Sequence, residues 1–263
     1  MAVTSSFLRR TSVILGATLL AAGCATPPTD PAARAAFEEA NDPLEPLNRH
    51  VFEFNRVLDG LLFKNVAEFY RIVVPEAIRT SIRHVMTNLN EPVVFINNVL
   101  QAKVERGGTT AGRFLVNSTA GVAGIFDVAT RVGLKEQTGD FGQTLYSWGV
   151  EDGGPYLILP VLGPSNPRDG IGMGVDGYLD PFRYIFRSEG VGYINTARFV
   201  MTGIDERVQH GPELEEIERS SVDFYAQLRS LWRQNRASEL AGNVPDGGPS
   251  TPGGFYDDPG LKK

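Results

Sequence analysis

DPLEPLNRHVFEFNRVLDGL, residues 42–61, sets Leu44, Leu47, Val51, Phe54, Leu58 and Leu61 at intervals of three and four behind an Asp-Pro pair. That spacing is one face of an α-helix, and Asp42-Pro43 predicts its cap and first turn. The same pattern recurs outward from it. Pro75 opens a segment with Ile78, Ile82 and Val85 on one face and Arg79 and Arg83 off it, and a further helix is predicted from Glu91-Pro92 through Val93, Phe95, Ile96, Val99 and Leu100. Residues 107–117 and 124–131 read as shorter, glycine-rich helical pieces. The strongest periodicity runs from Pro212 to Leu240, where Leu214, Ile217, Ser221, Phe224, Leu228 and Leu231 form a seam flanked by Glu215, Glu216, Arg219 and Arg229. It predicts one amphipathic helix with a solvated outer face. Strand signals are few: residues 156–162 (YLILPVL) are apolar, but Pro160 bars them from a central strand, and no useful stretch alternates with period two. The expected fold class is all-α.

The ends of the chain read differently from its middle. Arg9 and Arg10 precede an apolar stretch, residues 11–22, that is too short to span a bilayer and reads as a secretory leader. The segment Leu20-Ala21-Ala22-Gly23-Cys24 resembles a bacterial lipobox, with its leucine one place early, so Cys24 is expected to carry lipid and to become the mature first residue. Ala25 stands where an aspartate would signal inner-membrane retention, which by the same resemblance sends the protein to the outer membrane. Residues 24–40 read as a tether, 41–241 as the folded domain, and 242–263, with ten Gly and Pro in 22 positions, as a disordered tail.

Composition narrows the function classes. Removing residues 1–23 takes away two arginines and no acid, moving the formal charge from −6 to −8, which disfavours a nucleic-acid partner. Cys24 is the only cysteine, so disulfides do not hold the fold together. Gly172-Met173-Gly174-Val175-Asp176-Gly177 has GxGxxG spacing, but Pro167, Arg168 and Asp169 precede it where a dinucleotide fold needs a strand. Close approach of two backbones, or of a backbone and a lipid, is the better reading of those glycines. His50, His84 and His210 lack metal-ligand spacing, no GxSxG elbow is present, and Asp257-Asp258 lacks partners for calcium. No enzyme, metal site or cofactor is expected.

The remaining unusual stretch is Trp148-Gly149-Val150-Glu151-Asp152-Gly153-Gly154-Pro155-Tyr156, followed by Leu157, Leu159, Val161 and Gly163-Pro164. A turn-rich loop with aromatic ends, leading into an apolar segment broken by Gly and Pro, suits the wall of an apolar passage or an interface. A buried irregular crossover is the plainer alternative.

Several short motifs, in order, carry a resemblance. Asn41-Asp42-Pro43-Leu44-Glu45-Pro46-Leu47-Asn48-Arg49, Asn90-Glu91-Pro92, residues 112–119 (GRFLVNST), Asp140-Phe141-Gly142-Gln143-Thr144-Leu145, Gly154-Pro155-Tyr156, Leu159-Pro160, Gly163-Pro164-Ser165 and Arg168-Asp169 resemble the MlaA (VacJ) family of outer-membrane lipoproteins. The resemblance spans about 41–181, with Leu47 where the family commonly has phenylalanine. It implies a ring-shaped helical domain held in the inner leaflet of the outer membrane around an amphipathic channel. It also implies as partners a trimeric porin, the periplasmic carrier MlaC and phospholipid, with removal of misplaced phospholipid from the outer leaflet as the role. Residues 148–156 are then expected to gate the channel, with Gly149, Gly153 and Gly154 as hinges and Leu157, Leu159 and Val161 on its wall. A structural lipoprotein that braces a porin without a conduit is the competing expectation.

Overall fold

The structure, a computed structural model, describes residues 28–30, 34 and 40–242. The leader, Cys24, nearly all of the tether and the tail beyond Gly242 lie outside the described residues.

Helices account for almost every element. They are α1 (Glu45–Leu58), α2 (Lys64–Val73), α3 (Glu76–Leu100), α4 (Val104–Thr119), α5 (Val128–Arg131), α6 (Phe141–Ser147), α7 (Pro167–Leu179), α8 (Pro181–Ser188), α9 (Tyr193–Ser220) and α10 (Phe224–Leu240). Leu157–Leu159 and Gly163–Ser165 form an antiparallel pair, β1 and β2, with Ile158 opposite Pro164. A π-helical turn, Asp59–Phe63, joins α1 to α2, and the Asn65 amide donates to the loosened Gly60 and Leu61 carbonyls at 3.2 and 3.0 Å.

Three local expectations are corrected, and a fourth, on Pro160, holds. Asp42 does not cap α1, which begins at Glu45 with Pro46 in its first turn and Leu44 as an N-cap without a side-chain bond. The Asp42 carboxylate is instead buried, accepting from Asn48 Nδ2 and Arg229 Nη1 at 2.8 and 2.7 Å and from the Tyr225 hydroxyl. The helices expected before and after Glu91-Pro92 are one, because α3 runs through Pro92 for 25 residues. Proline lacks one helical donor there, and burial of Val93 and Val94 offsets that loss. The helix expected over 212–240 is two: α9 already contains Pro212, and the chain breaks at Ser221, where Asp223 caps α10 by accepting from Ala226 N at 3.1 Å. Residues 156–162, finally, contribute a short strand, with Pro160 outside the paired residues, in a sheet that has only edges.

Two small apolar clusters seat the helices. Phe52, Tyr156, Ile158, Tyr225 and Leu228 tie α1 and α10 to the hairpin, and Ala67, Tyr70 and Ile204 tie α2 to α9. Elsewhere the interior is polar. Among the described residues, buried polar and charged side chains outnumber buried hydrophobic ones, and large apolar side chains on most helices face outward.

Candidate functional site

The polar interior is built from networks that join helix ends. Asp140 caps α6 and Asn166 caps α7, each accepting from a backbone N–H three residues on at 2.8 Å. Arg236 of α10 then bridges both helix starts, meeting Asp140 Oδ2 at 2.8 Å and Asp169 Oδ1 at 2.8 Å. Burial pushes the Asp140 carboxyl up, but the Arg236 guanidinium overrides it and holds the group below the usual carboxylate range. Between α6 and α7 the backbones nearly touch: a Cβ on Gly172 would stand 2.6 Å from Gly142 N, and one on Gly142 would stand 2.4 Å from Asp169 Oδ1. The GxGxxG glycines therefore begin with the close approach that their spacing suggested.

A second network lines α3. Asn97 donates to Asp176 Oδ1 at 2.7 Å, Thr144 Oγ1 donates to Asn97 Oδ1 at 2.8 Å, and Gln101 donates to Thr144 at 3.1 Å. Burial raises Asp176 to about 6, although the Phe141 N–H and Asn97 oppose the rise. Farther along, Arg113 of α4 is buried and donates to Glu91 Oε1 at 2.8 Å, Leu134 O at 2.6 Å and Asp127 Oδ2 at 3.3 Å. Burial drives Glu91 to about 7 against the Arg113 contact, and it drives Glu136 to about 7 beside the same cluster. Glu91 Oε2, Asn88 Oδ1, Asn98 Oδ1 and Nδ2, and Gln101 Oε1 are buried without a hydrogen-bond partner, a row of unsatisfied atoms along one helix. Such a row marks a polar track able to take water or a polar ligand group.

The residues singled out from sequence fall into two sets. Trp148, Gly149 and Val150 are exposed at the end of α6: Trp148 Nε1 donates to Leu100 O at 3.0 Å, its ring meets Phe141 edge-on at 5.7 Å, and Gly149 has φ +98° with open space where a side chain would be. The rest of the loop is fastened. Arg168 donates to the Val150 and Glu151 carbonyls at 3.3 and 3.1 Å. Asn41 Nδ2 donates to Gly154 O at 3.0 Å, and Asn166 packs where a Gly153 side chain would go. Gly154 has φ +81°, and Pro155 is half-buried beside Tyr156, which is a core residue with 1% of its surface exposed. Leu157 and Leu159 are half-buried in β1, while Val161 is exposed with φ +69° in the hairpin turn. A cleft of about 240 Å³ opens between this loop and α10, with Asp152, Tyr156, Trp232 and Arg233 among its walls.

Sequence reasoning overlooked Asn48. Its Nδ2 donates to Tyr156 O at 2.9 Å and its Oδ1 accepts from Ile158 N at 3.0 Å, so one α1 side chain pairs with β1 as a strand would. Asn55, two turns later, repeats this with Leu159 O and Val161 N at 3.0 and 2.8 Å, the hairpin's outer end. The available signal was an asparagine directly after a seam residue, Leu47 and then Phe54, seven positions apart.

Outside, the distribution inverts. Leu61, Phe69 and Ile72 are 74, 67 and 71% exposed along the π turn and α2, and Phe54, Val57, Leu62, Val73 and Ile78 continue that apolar surface. No helix among the described residues is long and apolar enough to cross a membrane. No group of three or more metal-ligating side chains occurs among them.

A helical scaffold knitted by buried polar networks and clothed in exposed apolar side chains, with no bilayer-spanning helix among its described residues, defines a membrane-associated protein. Comparison with known proteins agrees: the sequence profile described as MlaA lipoprotein matches residues 40–239, and the chain belongs to that family. It is 34% identical to the intermembrane phospholipid transport system lipoprotein MlaA of Escherichia coli K12 over 231 residues, 86% of each chain. The Haemophilus influenzae protein of the same description is 31% identical, covering 75% of this chain and 78% of that one. An uncharacterized protein of Rickettsia prowazekii is 32% identical over 79% of this chain and 80% of its own. A solved structure, described as the structural basis for maintenance of bacterial outer membrane lipid asymmetry, superposes with a TM-score of 0.67 at 32% identity, covering 76% of this chain and 98% of that one.

Proposed function

We propose that the protein is an outer-membrane lipoprotein that takes misplaced phospholipid from the outer leaflet and passes it toward a periplasmic carrier, preserving lipid asymmetry. The observation that carries this reading is the inversion of polarity, with exposed apolar side chains outside and an unsatisfied polar row along α3 within. A phospholipid needs both surroundings at once, because its headgroup is costly in hydrocarbon and its chains are costly in water. Family membership supports the same substrate. Transfer in this reading involves no covalent chemistry.

The finer assignments belong to the same proposal. The domain sits in the inner leaflet as a ring around a channel, anchored by acyl groups on Cys24 and held further by its apolar exterior. A trimeric porin accompanies it in the membrane, and a soluble carrier of the MlaC type receives the lipid. The acyl groups on Cys24 and the phospholipid in transit are its only non-protein components. Trp148 and Gly149 form the moving part of the gate, with Val150 at its fixed edge, since the hydrogen bonds of Val150, Gly153, Gly154 and Tyr156 fasten the remainder. Leu157, Leu159 and Val161 flank it as wall residues.

Lipid extraction of the protein purified from membranes, followed by mass spectrometry, tests the conduit. Stoichiometric phospholipid is the expected result. A protein free of copurifying phospholipid would favour the porin brace. Membrane fractionation of Cys24→Ala tests the anchor: the variant should be missing from the outer membrane, and normal placement would refute the lipobox reading.

A further inference from the structure

Arg79 and Arg83 stand one turn apart on α3, yet only one is paired. Arg83 holds Asp205 at 2.7 and 3.3 Å, and Gln209 donates to the same carboxylate at 2.7 Å. Arg79 has no ion pair among the described residues, and its Nε is buried without an acceptor. Glu76, three residues earlier in the first turn, forms no ion pair with it either. A second orphan is the hydroxyl of Tyr70, on a side chain only 9% exposed whose cluster packs on Val74 and on Ile82, one turn from Arg79 in α3. Burial and the Asp205 carboxylate push that phenol up, so it remains a donor at neutral pH. The α3 N-terminus at this corner also lacks a side-chain cap, which adds the positive end of a 25-residue helix.

Around these donors the surface is apolar. Phe69, Ile72 and Val73 of α2 and Ile78 of α3 are all more than half exposed on either side of the Val74-Pro75 turn. A cation and a hydroxyl lacking acceptors, set at the edge of an apolar stripe, complement one ligand chemistry: a phosphodiester with acyl chains attached. We propose that Arg79 and Tyr70 form a binding corner for the phosphate of a lipid in the surrounding leaflet, whose chains lie along Phe69, Ile72, Val73 and Ile78. This rests on the reading of the exterior as lipid-facing, but the bound lipid is a boundary lipid that sets the depth and tilt of the domain, distinct from the lipid in transit. Arg79, held by no ion pair, is free to turn its guanidinium outward to meet it.

The full acylated protein, delipidated in a phosphate-free detergent, should be titrated with dihexanoylphosphatidylglycerol and separately with inorganic phosphate, with binding read by native mass spectrometry. Arg79→Gln should weaken lipid binding about tenfold, Arg79→Lys less than that, and Tyr70→Phe several-fold while keeping its ring in the core. Inorganic phosphate should bind at least tenfold more weakly than the lipid. Equal lipid affinity in the wild type, Arg79→Gln and folded Tyr70→Phe proteins would overturn the site, and phosphate binding as tight as lipid binding would overturn the lipid as its occupant. Surface phospholipid in cells carrying Arg79→Gln reads transport independently, so failure of the corner and failure of the transport reading give different results.

Discussion

Arg113 is one buried cation facing three carboxylates, Glu91, Asp127 and Glu136, and the charge it cannot neutralise has a measurable consequence. Asp127 is held down at about 2, since hydrogen bonds from Thr130 and Asn117 outweigh its burial, and it stays ionised across the neutral range. Glu91 and Glu136, pushed to about 7 by burial, bind protons in the folded state that the unfolded chain has released above about 4.5. Their contribution is therefore complete in acid and is lost as pH rises through 7. Urea midpoints should fall between pH 6 and pH 8, and Glu136→Gln should flatten that slope; an unchanged slope would remove Glu136 from the cluster. Arg236 obeys the opposite logic, because deleting it strands Asp140 and Asp169 in the interior. Arg236→Ala should cost about 3–5 kcal/mol in chemical denaturation. Gly149→Ala should cost only ~1 kcal/mol, from its positive φ alone, whereas Gly142→Ala must move Asp169 or Arg236 and should cost more.

Helices and the hairpin depend on one another through asparagine. Asn48→Ala removes the partners of Tyr156 O and Ile158 N and one contact to Asp42, so the hairpin should loosen from α1. About 2–3 kcal/mol of destabilisation is expected, with faster amide hydrogen exchange confined to residues 156–165. At this scale the sequence was readable in where helices run, as in α1 and α10, but not in which face α1 buries, since Phe54 and Leu61 of its seam are exposed while Asn48 and Phe52 are buried. It was silent where polar side chains decided. Nothing in the seam from Leu214 to Leu231 reveals that Asp223 caps a new helix, and nothing around Pro92 reveals that Glu91 must be buried opposite Arg113. The loop proposed as the gate was partly legible for a similar reason: glycine marked the turns, but Asn41, Asn166 and Arg168, which fasten most of the loop, act from distant positions.

Viewed whole, the molecule places its hydrogen bonds inside and much of its large apolar surface outside, along α2, α3 and the elements beside them. Water would penalise that surface, whereas a leaflet would cover it, and the interior networks keep the helices together without a large apolar core. The phosphate corner proposed at Arg79 and the gate proposed at Gly149 are local features of that one arrangement. The account's central claim is lipid removal from the outer leaflet, and the most direct measurement is the outer-leaflet phospholipid content of a deletion strain complemented with this chain or with its Gly149 variants. Complementation with the wild-type chain should return surface phospholipid to the parental level, and Gly149 substitution should alter it without lowering the amount of folded protein. Surface phospholipid that stays at the deletion level, with the protein folded and in the outer membrane, would contradict the account.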